Sequence, residues 1–209
     1  MKLSWATRIT ILRILLIIPF VSCMLHINDP ELSPSRQAWL RCLAIIIYLV
    51  MAVSDGLDGY LARTRRQVTR LGTFLDPVAD KLLITCACLL LASRQTQVQG
   101  YLIPTTVVVL IIAKDLLLVL GFLIVYLVTS QVWIQPVFVG KAATALQLAM
   151  VAAVLISPEM SRVIHGWIWV LRVLWWSAAA GAVLATLVYI RNGSRYIEDY
   201  ETTHTRIAS

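Results

Sequence analysis

Long apolar blocks alternate with short polar stretches along this chain. The blocks fall at about Ile9–Leu25, Ala38–Leu61, Thr73–Ser93, Tyr101–Val128, Phe138–Ile156 and Leu171–Ile190. Each approaches the roughly 20 residues that a helix needs to cross a bilayer core. Lipid offers backbone amides no hydrogen-bonding partner, so segments of this kind pair their own N–H and C=O groups as helices. The pattern predicts an all-α integral membrane protein with six transmembrane helices. The stretch His26–Gln37, rich in Asn, Asp, Pro and Ser, reads as an exposed loop, as do Arg94–Gly100 and Pro158–Arg162.

Composition adds to this picture. Of 209 residues, 59% are hydrophobic and 14% charged, too apolar a balance for a soluble domain. Residues 1–197 form one predicted membrane domain, and 198–209 a flexible polar tail. Lys2 and Arg8 ahead of the first block resemble the start of a secretion signal. Arg13 interrupts that block and no small-residue cleavage motif follows, so it reads as a retained helix with an amphipathic start along the membrane surface.

The net charge of +7 suits an acidic partner. The basic residues flank apolar blocks and no soluble recognition module presents them, so the expected partners are anionic membrane lipids and no nucleic acid. Arg63, Arg65, Arg66 and Arg70 lie between the second and third blocks, Lys2 and Arg8 precede the first, and Arg191 and Arg195 follow the last. An even number of spans gathers all three groups on one side, and the positive-inside rule makes that side cytoplasmic, with both termini. Cys23, Cys42, Cys86 and Cys88 lie in or beside apolar blocks and read as buried reduced thiols. Trp167, Trp169, Trp175 and Trp176, with Arg172, read as an interfacial belt on the opposite side, with His165 beside them.

The chemistry concentrates between Asp55 and Asp80. Asp55 and Asp58 are three residues apart and Asp76 and Asp80 four apart, so on helices each pair shares a face. A basic loop, Thr64–Leu71, folds one pair toward the other. Gly72 offers a stop, Thr73 an N-cap and Pro77 a first-turn residue for the next helix. An acid at the centre of a membrane helix costs about 2.5–3.5 kcal/mol. Headgroup water or salt bridges to Arg63 would relieve that cost without explaining why all four acids fall on faces that a hairpin brings together. Divalent cations explain it: carboxylates are hard oxygen ligands, and two Mg²⁺ or Mn²⁺ ions held this way would clamp a diphosphate. Clustered intramembrane acids also suit a divalent-cation transporter.

A second polar group lies deeper. Lys114 and Asp115 stand near the middle of the fourth block, where the lysine reaches water only with difficulty. One reading is internal neutralisation between neighbouring helices. The other is a cationic site for an acceptor phosphate, formed by Lys114 and Lys141 with Arg13 near them. Lys141, Thr144 and Gln147 follow at steps of three and read as a polar stripe facing a cavity, while Thr10 and Arg13 share a face that closes one wall of it.

The pattern Asp55-x2-Asp58-Gly59-x2-Ala62-Arg63-x8-Gly72-x3-Asp76-x3-Asp80 resembles the signature of the CDP-alcohol phosphotransferase family at all eight of its fixed positions. The resemblance implies a metal-dependent, usually dimeric membrane enzyme with six helices and a polar active-site cavity on the cytoplasmic side. It implies transfer of a phosphatidyl group from CDP-diacylglycerol to a glycerol-type alcohol, with release of CMP. By similarity Asp55, Asp58, Asp76 and Asp80 are metal ligands, and Asp80 is also the general base for the acceptor hydroxyl. Gly59, Ala62, Arg63 and Gly72, with Asp55, hold the CDP moiety. The expected acceptor is glycerol 3-phosphate, which Lys114 and Lys141 suit. Phosphatidylglycerol is the alternative, because Asp115 follows the basic residue here.

Overall fold

The computed structural model describes residues 5–65, 70–98, 100–129 and 138–208, with side chains over 10–54, 81–98, 100–121 and 138–195. Among the described residues the regular structure is helical: α1 (Trp5–Leu25), α2 (Pro34–Arg65), α3 (Arg70–Ala92), α4 (Thr105–Thr129), α5 (Phe138–Leu155), α6 (Ser157–Val163) and α7 (Trp167–Ala208). An isolated bridge joins Val98 to Tyr101. Three stretches are long and apolar enough to cross a membrane, Pro34–Ser54, Phe138–Leu155 and Trp167–Arg195. Thr10–Leu25 and Lys81–Ala92 are shorter apolar helical stretches.

The helices sort their faces as lipid-embedded elements do. On α2, Trp39, Leu43, Ile46, Val50 and Val53 are exposed, while Ala44, Ile47, Tyr48 and Met51 are buried. Both sets advance by three and four residues, the period that keeps a stripe on one side of a helix. The outward stripe is as apolar as the inward one, so water is not what sorts them; packing and polar contacts between helices are. On α7 the inward stripe runs Leu171, Trp175, Ala178, Ala182 and Ala185. Its small residues let α5 come close: a Cβ on Gly181 would lie 3.5 Å from the Ala143 Cα.

Two groups of helices result. α1 packs on α2 and α3, and α7 packs on α4 and α5. The groups meet where α3 touches α4 and α5, and where α2 touches α5. Tyr48 ties this seam by donating its hydroxyl to the Leu148 carbonyl at 2.9 Å. At one end of the bundle Asn28 donates its amide to the carbonyls of Gln95 at 3.0 Å and Gln97 at 2.8 Å. Arg41 pairs with Glu159 at that same end, joining α2 to α6.

Several boundaries differ from the sequence reading. α3 begins at Arg70, so Gly72 and Thr73 sit inside its first turn and are not a stop and a cap. Pro77 consequently lies about two turns in, where a proline lacks the N–H that would reach the carbonyl four residues back. The 156–166 region holds the short helix α6, with Pro158 and Glu159 in its first turn and Arg162 in its last, charges that suit the helix dipole. Gly166, at a φ of 84°, reverses the chain into α7, a conformation that costs glycine little. α7 continues through Ala208 where a flexible tail was expected. Its C-terminal part contains no proline after Ile190, and Arg195 and Asp199 are an opposite-charge pair four residues apart.

The aromatic belt is also only half a belt. Trp169 and Trp176 are exposed, but Trp167 and Trp175 are buried, and Trp167 donates its indole N–H to the Ser157 hydroxyl at 3.1 Å. Arg172 lies over the Trp169 ring, 4.7 Å from its centroid. Of the four free cysteines, Cys42 is exposed, against the expectation of burial.

α5 and α7 come close at Gly140, where an added Cβ would press into the Tyr189 hydroxyl. Tyr189 is only half-buried and can swing outward. Gly140→Ala is therefore expected to cost about 1 kcal/mol, the low end of overpacking penalties. Thermal unfolding in detergent should show that loss, and the Gly140→Ala/Tyr189→Phe double variant should recover at least half of it.

Candidate active site

The seam between the two helical groups carries a chain of buried polar side chains. Lys114 and Asp115 are the tenth and eleventh residues of the 25 in α4, and both are buried. Asp115 Oδ1 lies 3.0 Å from the Lys114 ammonium and 3.1 Å from that of Lys81 on α3. Lys114 also donates to Gln147 Oε1 on α5 at 3.2 Å. One carboxylate oxygen thus holds two cations, as close ion pairs and not as aligned hydrogen bonds, and the chain Gln147–Lys114–Asp115–Lys81 crosses from α5 through α4 to α3.

The arrangement relieves a large cost. A lone ammonium at this depth is disfavoured by about 2.5–3.5 kcal/mol. Pairing with Asp115 offsets much of that, so part of the neutralisation reading holds, with Lys81 as a partner that sequence inspection left without a role. Two atoms stay unsatisfied: Asp115 Oδ2 and Gln147 Nε2 are buried with no hydrogen-bond partner among the described residues. Each such group costs about 1–3 kcal/mol.

The other members of the expected acceptor site are distributed differently. Lys141 is exposed, and Thr144 donates to the Gly140 carbonyl of its own helix at 3.1 Å. Gln147 alone of that stripe meets Lys114. The reason is helical: each three-residue step turns about 300°, so Gln147 lies about 120° around the helix from Lys141. On α1, Thr10 and Arg13 are both buried, three residues apart on one face.

The residues expected to hold the donor lie on α2 and α3, two helices on one side of the seam. Asp55, Asp58, Gly59, Ala62 and Arg63 belong to the last part of α2, and Gly72, Asp76 and Asp80 to the first part of α3. Their side chains lie outside the described residues, so none of their contacts enters here. Helical rise still sets their register. Asp58 and Asp55 precede Arg65, the end of α2, by about 10 and 15 Å, and Asp76 and Asp80 follow Arg70, the start of α3, by about 9 and 15 Å. Arg65 and Arg70 are five residues apart, at most about 18 Å. Asp80 is also the immediate neighbour of Lys81, which anchors α3 to Asp115. Among the described residues no cluster of His, Cys, Asp or Glu suits a metal, which leaves the aspartate set as the candidate. Four carboxylates match the oxygen preference of Mg²⁺ and Mn²⁺.

Among the described residues, helices with three stretches apolar enough to cross a membrane enclose a charged, internally paired seam. The family follows from comparison with known proteins: a model of the CDP-alcohol phosphatidyltransferase family matches residues 3–188, and the chain belongs to that family. Similar proteins include three named CDP-diacylglycerol–glycerol-3-phosphate 3-phosphatidyltransferase. The one from Bacillus subtilis (strain 168) is 32% identical over 148 residues, covering 71% of this chain and 70% of its own. The one from Haemophilus influenzae is 39% identical over 95 residues, covering 46% of each chain. The one from Salmonella typhimurium (strain LT2) is 35% identical over 94 residues, covering 45% of this chain and 47% of its own. These last two matches span just under half of the relatives' lengths. Membership in an enzyme family sets aside the cation-transporter reading.

Proposed function

We propose that this chain transfers the phosphatidyl group of CDP-diacylglycerol to glycerol 3-phosphate, forming phosphatidylglycerophosphate and CMP. The observation that carries the reading is the 148-residue similarity to the Bacillus subtilis protein, whose name states that donor and acceptor. The buried Lys114 at the seam fits it, because a small phosphomonoester needs cations that the bilayer does not supply. The protein crosses the membrane six times as a homodimer, with both termini and the site on the cytoplasmic side. The apolar blocks support that topology, as does the arginine-rich connection between α2 and α3.

The residues divide the work. Arg63 balances diphosphate charge, and Gly59, Ala62 and Gly72 leave room for the CDP moiety. Mg²⁺ or Mn²⁺ ions held by Asp55, Asp58, Asp76 and Asp80 supply electrostatic stabilisation of the diphosphate when bound. Lys114, with Lys141 and Arg13, receives the acceptor phosphate. Asp80 takes the proton of the acceptor hydroxyl as its oxygen bonds to the phosphatidyl phosphorus and the bond from that phosphorus to CMP breaks.

Purified protein given CDP-diacylglycerol, Mg²⁺ and one acceptor at a time is expected to release CMP with glycerol 3-phosphate. Product with phosphatidylglycerol and none with glycerol 3-phosphate would overturn the acceptor. Chelation with EDTA should abolish turnover, and added Mg²⁺ or Mn²⁺ should restore it; full activity in EDTA would remove the metal from the reading.

A further inference from the structure

Gln147 stands in the middle of α5 with no exposed surface, and its amide is used on one side only. Oε1 accepts from Lys114 at 3.2 Å, which fixes the orientation of the amide plane. Nε2, a donor with two hydrogens, then points to no acceptor among the described residues. The neighbours of Gln147 one turn either way are Ala143, Met150 and Val151, all buried, and Thr144, whose hydroxyl is turned to the Gly140 carbonyl, so nothing on its own helix completes it. A Leu or Met here would fill the space without stranding a donor. The stranded donor lies beside a lysine that is itself held by Asp115 at 3.0 Å.

We infer that Gln147 is a specificity-determining residue for the acceptor, with Nε2 donating to a phosphate oxygen of a small phosphomonoester while Oε1 holds Lys114 beside it. This rests on the glycerol 3-phosphate reading. A neutral amide suits the place. It adds a directed hydrogen bond for an oxygen-only group without adding another positive charge to a seam that already holds Lys81 and Lys114. It also rejects ligands that present a donor there.

Two variants separate recognition from support. Gln147→Met removes both amide contacts. Gln147→Glu keeps an oxygen for Lys114 while replacing the Nε2 donor by a second, negatively charged acceptor that a phosphate oxygen beside it would meet. In the purified enzyme both are expected to raise the KM for glycerol 3-phosphate about 10–100-fold, the factor for a hydrogen bond to a charged group. The KM for CDP-diacylglycerol should stay within about twofold, which also reports an intact fold. If Gln147 only supported Lys114, Gln147→Glu would behave as wild type, and that result overturns the inference. Should Gln147→Met misfold, Gln147→Glu carries the test alone. Wild-type enzyme that is inactive with glycerol 3-phosphate but active with another alcohol would overturn the acceptor reading itself, a failure distinct from an active wild type whose KM is unmoved by Gln147→Glu.

Discussion

Asp80→Asn is expected to lower CMP release at saturating substrates by about 10²–10⁴-fold, the usual contribution of a positioned general base. Asn keeps the size and most of the polarity of Asp, so the helix register of α3 and the Lys81–Asp115 pair should survive. Detergent-solubilised protein should therefore unfold at nearly the wild-type temperature while turning over slowly. The comparison that matters is with Asp76→Asn: on the proposed assignment both remove one carboxylate from the metal set, but only Asp80 has a proton to accept. Higher pH should not rescue Asp80→Asn, since no group replaces the base. Wild-type turnover by Asp80→Asn would remove Asp80 from the chemistry.

The second large effect is on stability. Asp115→Ala removes the carboxylate shared by the buried Lys114 and the partly exposed Lys81, and breaking a buried pair in this way costs about 3–5 kcal/mol. Much of the protein should be recovered aggregated, or with an unfolding midpoint many degrees lower. Charge is the cause, which a second variant tests. Replacing the whole group by apolar residues (Lys81→Met, Lys114→Met, Asp115→Leu) should regain most of that stability, because buried ion pairs are often matched by well-packed apolar substitutes. The triple variant should nonetheless fail with glycerol 3-phosphate, having lost Lys114. A triple variant as unstable as Asp115→Ala would show that shape, not charge balance, is what Asp115 supplies.

Much of this protein could be read from residue order, and the reasons are physical. Lipid imposes helices on long apolar blocks, so α1 to α5 and α7 were each anticipated. Carboxylates three and four apart announce a shared face whatever surrounds them. The partners of Lys114 were less accessible. Asp115 is its chain neighbour, but Lys81 and Gln147 lie 33 residues before and after it, and only the packing of α3 and α5 on α4 selects them. Lys141 looked equivalent to Gln147 because steps of three look like a stripe on paper, while on a helix they spiral. Trp175 and Trp167 were expected at the lipid interface with Trp169 and Trp176, yet Trp169 is two residues from Trp167 and Trp176 one from Trp175, steps that turn about 200° and 100° around a helix. The tail misled for another reason: polarity was taken for disorder, although a segment free of proline can remain helical once a membrane helix has nucleated it.

That continuous α7 has a geometric outcome. At 1.5 Å per residue, Trp167–Arg195 spans about 43 Å, close to the full thickness of a bilayer with its headgroups. Residues 196–208 then reach about 20 Å further as a stalk. On the proposed topology Arg191 and Arg195 sit where an anionic lipid surface attracts them, while Glu198, Asp199 and Glu201 follow within about 5–9 Å along the axis. Glu198 and Asp199 are within one Debye length at physiological salt, roughly 8 Å, and Glu201 is just beyond it, so the surface that draws in the arginines pushes these acids away. The two forces act on one rod in opposite directions and favour an upright stalk, which would keep the acids of the tail clear of the headgroups through which CDP-diacylglycerol must approach.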